Sequence, residues 1–167
     1  MLKEPYFLQT FRTDPEFPAN FAKIRNSNTT FIETSIRNCK VNHGVYIDIF
    51  PLDYYPDSKW GAHILELKKL IYTGRIASVF YTTEKVSVKG KFLRIAAKIM
   101  VHTVKQALYR SEKLYRSYKN TKRLVNYCGA WGKKEIVPAE WCGDGCQLEF
   151  EGLLVNAPEQ YGKWLTR

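Results

Sequence analysis

A single carboxylate interrupts the most apolar stretch of the chain. Residues 43–53 read His-Gly-Val-Tyr-Ile-Asp-Ile-Phe-Pro-Leu-Asp, and within 45–50 every residue except Asp48 is apolar or aromatic. A run this rich in Val, Ile, Tyr and Phe predicts a buried strand. A carboxylate in its middle is unfavourable unless it is paired or ligates a metal. Two chemistries therefore stand open for Asp48: one oxygen ligand of a divalent cation, or one half of a salt bridge. Gly44 lets the chain turn into the strand without a Cβ penalty, and Pro51 ends it by removing a ladder donor. Asp53 follows in Leu-Asp-Tyr-Tyr-Pro-Asp and reads as a turn residue.

A second group lies upstream. Lys23 and Arg25 flank Ile24, so in a strand both cations point to one face. A polar turn at Asn26, Ser27 and Asn28 follows, and residues 30–33 continue as strand. Two cations beside hydroxyls and amides suit a diphosphate; an ordinary solvated hairpin face has the same pattern. The four cysteines, at 39, 128, 142 and 146, include no Cys-x-x-Cys pair. Cys142 and Cys146 with His43 make half of a zinc site at most, and the expectation is reduced thiols in the cytoplasm.

The elements that must position these groups belong to one domain spanning residues 1–167. The chain is 45% hydrophobic, which excludes a disordered polymer. Its net charge of +10 favours anionic partners without choosing among them. The segment Tyr6-Phe7-Leu8-Gln9-Thr10 reads as a strand. Residues 59–82 form an amphipathic helix, N-capped by Asp57-Ser58, with a possible break at Gly74. Residues 89–119 form a second helical block whose apolar stripe runs through Phe92, Ile95, Ala96, Ile99, Val104, Ala107, Leu108, Leu114 and Tyr115. Its many lysines and arginines are compatible with a solvated basic face or with an anionic membrane surface. Residues 124–131 read as a short strand, 143–145 as a turn, 146–155 as a strand bulged at Gly152, and 159–165 as a helix. No apolar run approaches the roughly 20 residues of a transmembrane helix. The basic residues fall on helical faces without an RNA- or DNA-binding motif, which argues against nucleic acid as partner.

The chain resembles the LicD family of bacterial phosphocholine transferases, related to fukutin-type ribitol-phosphate transferases. The resemblance is carried by Tyr6-Phe7-Leu8-Gln9-Thr10 with Asp14-Pro15, by Phe21-Ala22-Lys23-Ile24-Arg25 with Thr29-Thr30-Phe31-Ile32-Glu33, and above all by the His43-to-Asp53 block. Val137-Pro138-Ala139-Glu140-Trp141, Phe150-Glu151-Gly152, Pro158 and Tyr161 continue it. It implies an α+β, nucleotidyltransferase-like fold with a mixed β-sheet and helices packed on it. It implies transfer of phosphocholine, or a similar phospho-alcohol, from a CDP-choline-like donor to a cell-surface glycan or its lipid-linked glycolipid precursor. Such chemistry modifies lipopolysaccharide or teichoic acid. The location implied is cytoplasmic, with peripheral contact at the inner membrane face.

By the same resemblance Asp48 is a ligand to Mg²⁺ and the central catalytic carboxylate, and His43 orients it or the donor. Lys23 and Arg25 would hold donor phosphates, Thr29 and Thr30 would hydrogen-bond the donor, and Glu151 would stand behind the site or act as a base. The family's upstream Asp pair and its C-terminal Tyr-Gly-Asp-type segment have no counterpart here. The expectation is therefore a chain truncated at both ends, with an incomplete metal site and reduced or absent activity. The alternative is a non-catalytic remnant that binds nucleotide or membrane.

Overall fold

Alternation governs the first sheet. In the computed structural model, which describes residues 2–80 and 86–166, β1 (Tyr6–Gln9), β2 (Ala22–Asn26) and β3 (Val45–Ile49) form a three-stranded antiparallel sheet in the order β1-β2-β3. The register places Gln9 beside Lys23 and Lys23 beside Asp48, with Arg25 beside Tyr46. Leu8, Ile24 and Ile47 line up on the opposite face. Contrary to the expectation of a buried strand, β3 is an edge strand of this sheet, and Val45, Ile47 and Ile49 are exposed. The sheet turns its charged face inward, where Lys23 and Arg25 are buried, and leaves the apolar side chains outside.

Gly44 enters β3 where the backbone of β2 comes close. A Cβ at that position would lie 2.1 Å from the Asn26 carbonyl oxygen, so no larger residue fits without moving backbone. Residues 30–33 are not a strand. They belong to a loop that leads into a 3₁₀ turn at Thr34–Ile36 and carries Glu33 across the inward face of the sheet.

Among the described residues there are two further sheets. β4 (Asp53–Tyr55) pairs with β5 (Arg123–Val125), and β5 pairs with β6 (Val137–Pro138). A hairpin joins β7 (Cys146–Phe150) to β8 (Leu153–Ala157). Every one of these pairings is antiparallel, so among the described residues the expected mixed sheet is replaced by three small antiparallel sheets within an α+β fold. Asp53, read as a turn residue, is the first residue of β4. Gly152 is not a bulge: Glu151 and Gly152, with φ of 51° and 75°, are the two turn residues between β7 and β8.

The helices are α1 (Lys59–Ala77), α2 (Val88–Met100), α3 (Val104–Tyr115) and the single-turn α4 (Tyr161–Leu165). Ser58 caps α1 by accepting from the Gly61 N–H, as the sequence predicts. Residues 81 and 82, placed in the same helix by periodicity, lie outside the described residues. Gly74 does not break α1; a Cβ there would approach Leu93 and Ala97 of α2 at 3.2 and 3.4 Å, so the glycine lets the two helices touch. The block read as one helix over 89–119 is two, because Thr103 starts α3 with a capping box to Gln106.

The core has two parts. Phe11, Ile76, Val101, Ala107 and Leu108 form one. Tyr55, Leu65, Tyr115, Val125 and Tyr127 form the other, between α1, α3 and the β4-β5 sheet. The apolar stripe predicted over the 89–119 block is buried or half-buried in α3, whereas in α2 its members Phe92, Ile95, Ala96 and Ile99 are all exposed, and the buried residue is Ala97, outside that stripe.

Candidate functional site

The inward face of the first sheet concentrates opposite charges. Lys23 Nζ lies 2.9 Å from Glu33 Oε1 and 3.1 Å from Asp48 Oδ1. Arg25 donates to Glu33 Oε2 at 2.6 Å, to Gln9 Oε1 at 2.6 Å and to the Gly44 carbonyl at 2.8 Å. Gln9 in turn donates to Asp14 at 2.7 Å, and Asp14 accepts from the Asn42 N–H. The ring of Tyr46 lies under both cations, 3.3 Å from Lys23 Nζ and 4.6 Å from the Arg25 guanidinium carbon. Two cations and two carboxylates balance, which is how a sheet face can bury an arginine at 0% exposure. Burial by itself raises the pKa of Glu33, but hydrogen bonds from Lys23 and Arg25 outweigh it and hold the carboxyl below its ordinary value.

This geometry revises the roles that the resemblance implies. Lys23 and Arg25 are both buried, and their charge is met within the protein by Glu33 and Asp48. Asp48 is the open end of the network, its side chain 30% exposed, and its partner is Lys23. His43 contacts the Cys39 carbonyl through Nε2, while its buried Nδ1 has no hydrogen-bond partner among the described residues. Thr29 ties the loop to β3: it donates to the Asn26 carbonyl and accepts from the Val45 N–H. Thr30 is exposed in the same loop. Glu151 sits at the exposed tip of the β7-β8 hairpin, in a different sheet from Asp48.

The described residues do not fit Mg²⁺ at Asp48. The two carboxylates nearest each other there share an ammonium, and Arg25 holds Glu33 as well. Among the described residues no group of three or more His, Cys, Asp or Glu side chains could hold a metal ion. All four cysteines are free.

Replacing Asp48 by asparagine should therefore act as the loss of a half-exposed ion pair. Chemical denaturation should show a loss of about 1 kcal/mol with the fold retained, because Glu33 still holds Lys23.

A cleft of about 270 Å³ opens next to the end of β3, lined in part by Phe21, Ile49, Phe50, Arg12 and Arg116. Asp48 is not among its lining residues. Arg12 and Arg116 both pair with Glu112, and the half-exposed Arg12 also stacks over Phe11 and Tyr109. Phe21 and Phe50 face each other at 4.6 Å between ring centres. Close by, burial raises the pKa of Asp53; Arg116 pulls it down and Glu112 pushes it up. Asp53 does not line the cleft either, but its carboxyl interacts electrostatically with Arg116 and Glu112, which do; carboxyls perturbed by burial are candidates for proton transfer.

Sequence reasoning passed over Glu33, Arg12, Arg116 and Asp53. Glu33 had one signal, being the sole acidic residue between Glu16 and Asp48. The arginines of the cleft had none, since Arg12 and Arg116 meet only in the fold. No protein-family model, curated protein or solved structure matches the chain.

Proposed function

We propose that this chain is a LicD-type transferase domain that handles a CDP-activated phospho-alcohol, typically phosphocholine, with a cell-surface glycan or its lipid-linked precursor as acceptor. The observation that carries the proposal is the cleft at the end of β3, where two arginines stand beside paired phenylalanine rings. Arginine suits a diphosphate through its forked donors, and phenylalanine faces suit a base. In this reading Arg12 and Arg116 take the place that the resemblance gives to Lys23 and Arg25. Asp53, whose carboxyl pKa burial pushes up, takes the proton of the acceptor hydroxyl as that oxygen bonds to the phosphocholine phosphorus and the P–O bond to CMP breaks, with CMP departing. Asp48 and its network hold β3, and so Ile49 and Phe50, in place. Because the residues around Asp48 do not fit Mg²⁺, no metal-assisted step is assigned to them.

Phosphorus NMR of the chain with CDP-choline tests both parts. Donor resonances should broaden on binding, and Arg116→Ala should weaken that binding about tenfold, the loss of one charge-assisted contact. Donor resonances that are unmoved by the folded chain would refute the reading.

A second reading, a non-catalytic module that binds nucleotide or membrane, is favoured by the internal pairing of Lys23 and Arg25. It predicts donor binding without transfer. In either reading, peripheral contact with the inner membrane face would bring the domain to a lipid-linked acceptor. Among the described residues no helix is long and apolar enough to cross a membrane.

A further inference from the structure

Helix α2 is built the wrong way round for a core helix. Val88, Phe92, Ile95 and Ile99 follow one another at spacings of four, three and four, which puts them on one face. They are 73%, 73%, 58% and 73% exposed. The opposite face is the one that packs: Ala97 is fully buried, and Ala97 and Leu93 close against Gly74 of α1. The helix is thus seated on its inner side by Leu93 and Ala97 and presents Val88, Phe92, Ile95 and Ile99 outward.

The flanks of that stripe are cationic. At 100° per residue, Lys89 falls to one side of it and Lys91 and Lys98 to the other. The helix contains no aspartate or glutamate. A second copy of the chain meeting this face two-fold would bring lysine rows together with no acidic residue in either helix to receive them. An apolar stripe between lysines instead matches a bilayer surface, where the side chains enter the acyl boundary and the ammonium groups stay among the headgroups.

We propose that α2 docks the protein peripherally on an anionic phospholipid bilayer, with Phe92, Ile95 and Ile99 inserted and Lys89, Lys91 and Lys98 on the headgroups. This deepens the membrane contact named above by assigning its element and lipid charge. It does not depend on the transfer chemistry, since it is measured without donor.

The test is sedimentation of the full chain with vesicles of phosphatidylcholine, and with vesicles that also contain phosphatidylglycerol. The chain should bind the anionic vesicles and bind the neutral ones far more weakly. Phe92→Ser with Ile99→Ser should lower partitioning about a hundredfold or more, the effect of withdrawing two large apolar side chains, with an unchanged circular dichroism spectrum because both residues are exposed. Each Lys→Gln change at 89, 91 or 98 should lower it about fivefold on anionic vesicles alone. The proposal is overturned if the folded chain ignores anionic vesicles, or if the double serine variant binds them as well as the parent. It is also overturned if light scattering shows a dimer that the serine pair dissolves. Failure of vesicle binding would leave the phosphorus NMR result untouched, so the two ideas fall separately.

Discussion

Replacing Arg25 by methionine should remove about 3–5 kcal/mol of stability, the usual consequence of deleting one partner from a buried ion pair. Methionine keeps much of the volume, so the loss comes from what is left behind. Gln9 Oε1 and the Gly44 carbonyl each lose a donor, and Glu33 keeps only Lys23. Natural domains are stable by only about 5–15 kcal/mol, so the variant stands near unfolding, and urea titration should show a clearly lower midpoint.

The effect has a pH signature. Glu33 titrates below its ordinary value in the folded protein. A depressed carboxyl contributes stability that is fully present above the unfolded value, about 4.3. That contribution is lost as the pH falls through the lower folded value. Without Arg25 one of the two hydrogen bonds that depress Glu33 is gone. The gap between parent and variant should therefore be widest near neutrality and should narrow on acidification below about pH 4. A gap independent of pH would separate Arg25 from Glu33.

Leu65→Ala should be the second severe change. Leu65 is 0% exposed and packs among Tyr55, Tyr115, Val125 and Tyr127. Truncating such a leucine costs about 2–5 kcal/mol, the spread reflecting how far the site collapses. For a chain of this size that lowers the melting temperature by about 5–20 °C, readable by circular dichroism. The same change reaches the candidate site. Asp53 pairs with Val125 across β4 and β5, and Val125 packs in the cluster that Leu65 fills. Relaxation there admits water to Asp53 and should bring its raised pKa back toward the ordinary carboxylate value.

What could be foreseen from the residues was local. Ser58 ahead of an apolar-periodic run predicts the start of α1, and the alternation around Ile24 predicts a strand with two cations on one side. Tyr6 to Gln9 is likewise legible as a strand. What failed was the inside-outside assignment. The alternation of residues 45–50 fixes which side chains share a face, and hydrophobicity alone then sends Val45, Ile47 and Ile49 inward. The fold does the reverse, because Glu33, Gln9 and the Gly44 carbonyl converge from three separate segments to satisfy Arg25. No window of sequence contains that set. α2 shows the same effect: its apolar stripe is genuine, and only the fold sets which way that stripe faces relative to α1. Gly74 resembles a helix breaker until Leu93 and Ala97 are seen beside it. Asp53 looked like a turn because its strand partner, Val125, lies far along the chain.

The position of β3 at the margin of its sheet gives Asp48 a second consequence, one of colloidal behaviour. Residues 45–50 hold no proline and, apart from that carboxylate, no charge. An unguarded rim of this composition templates intermolecular strand addition and the dry side-chain interlocking of fibrils. A carboxylate in the middle of such a segment guards it, because a strand added alongside would have to desolvate it or draw it away from Lys23. Solubility at high concentration, and resistance to seeding, should thus depend on the same carboxylate that pairs with Lys23.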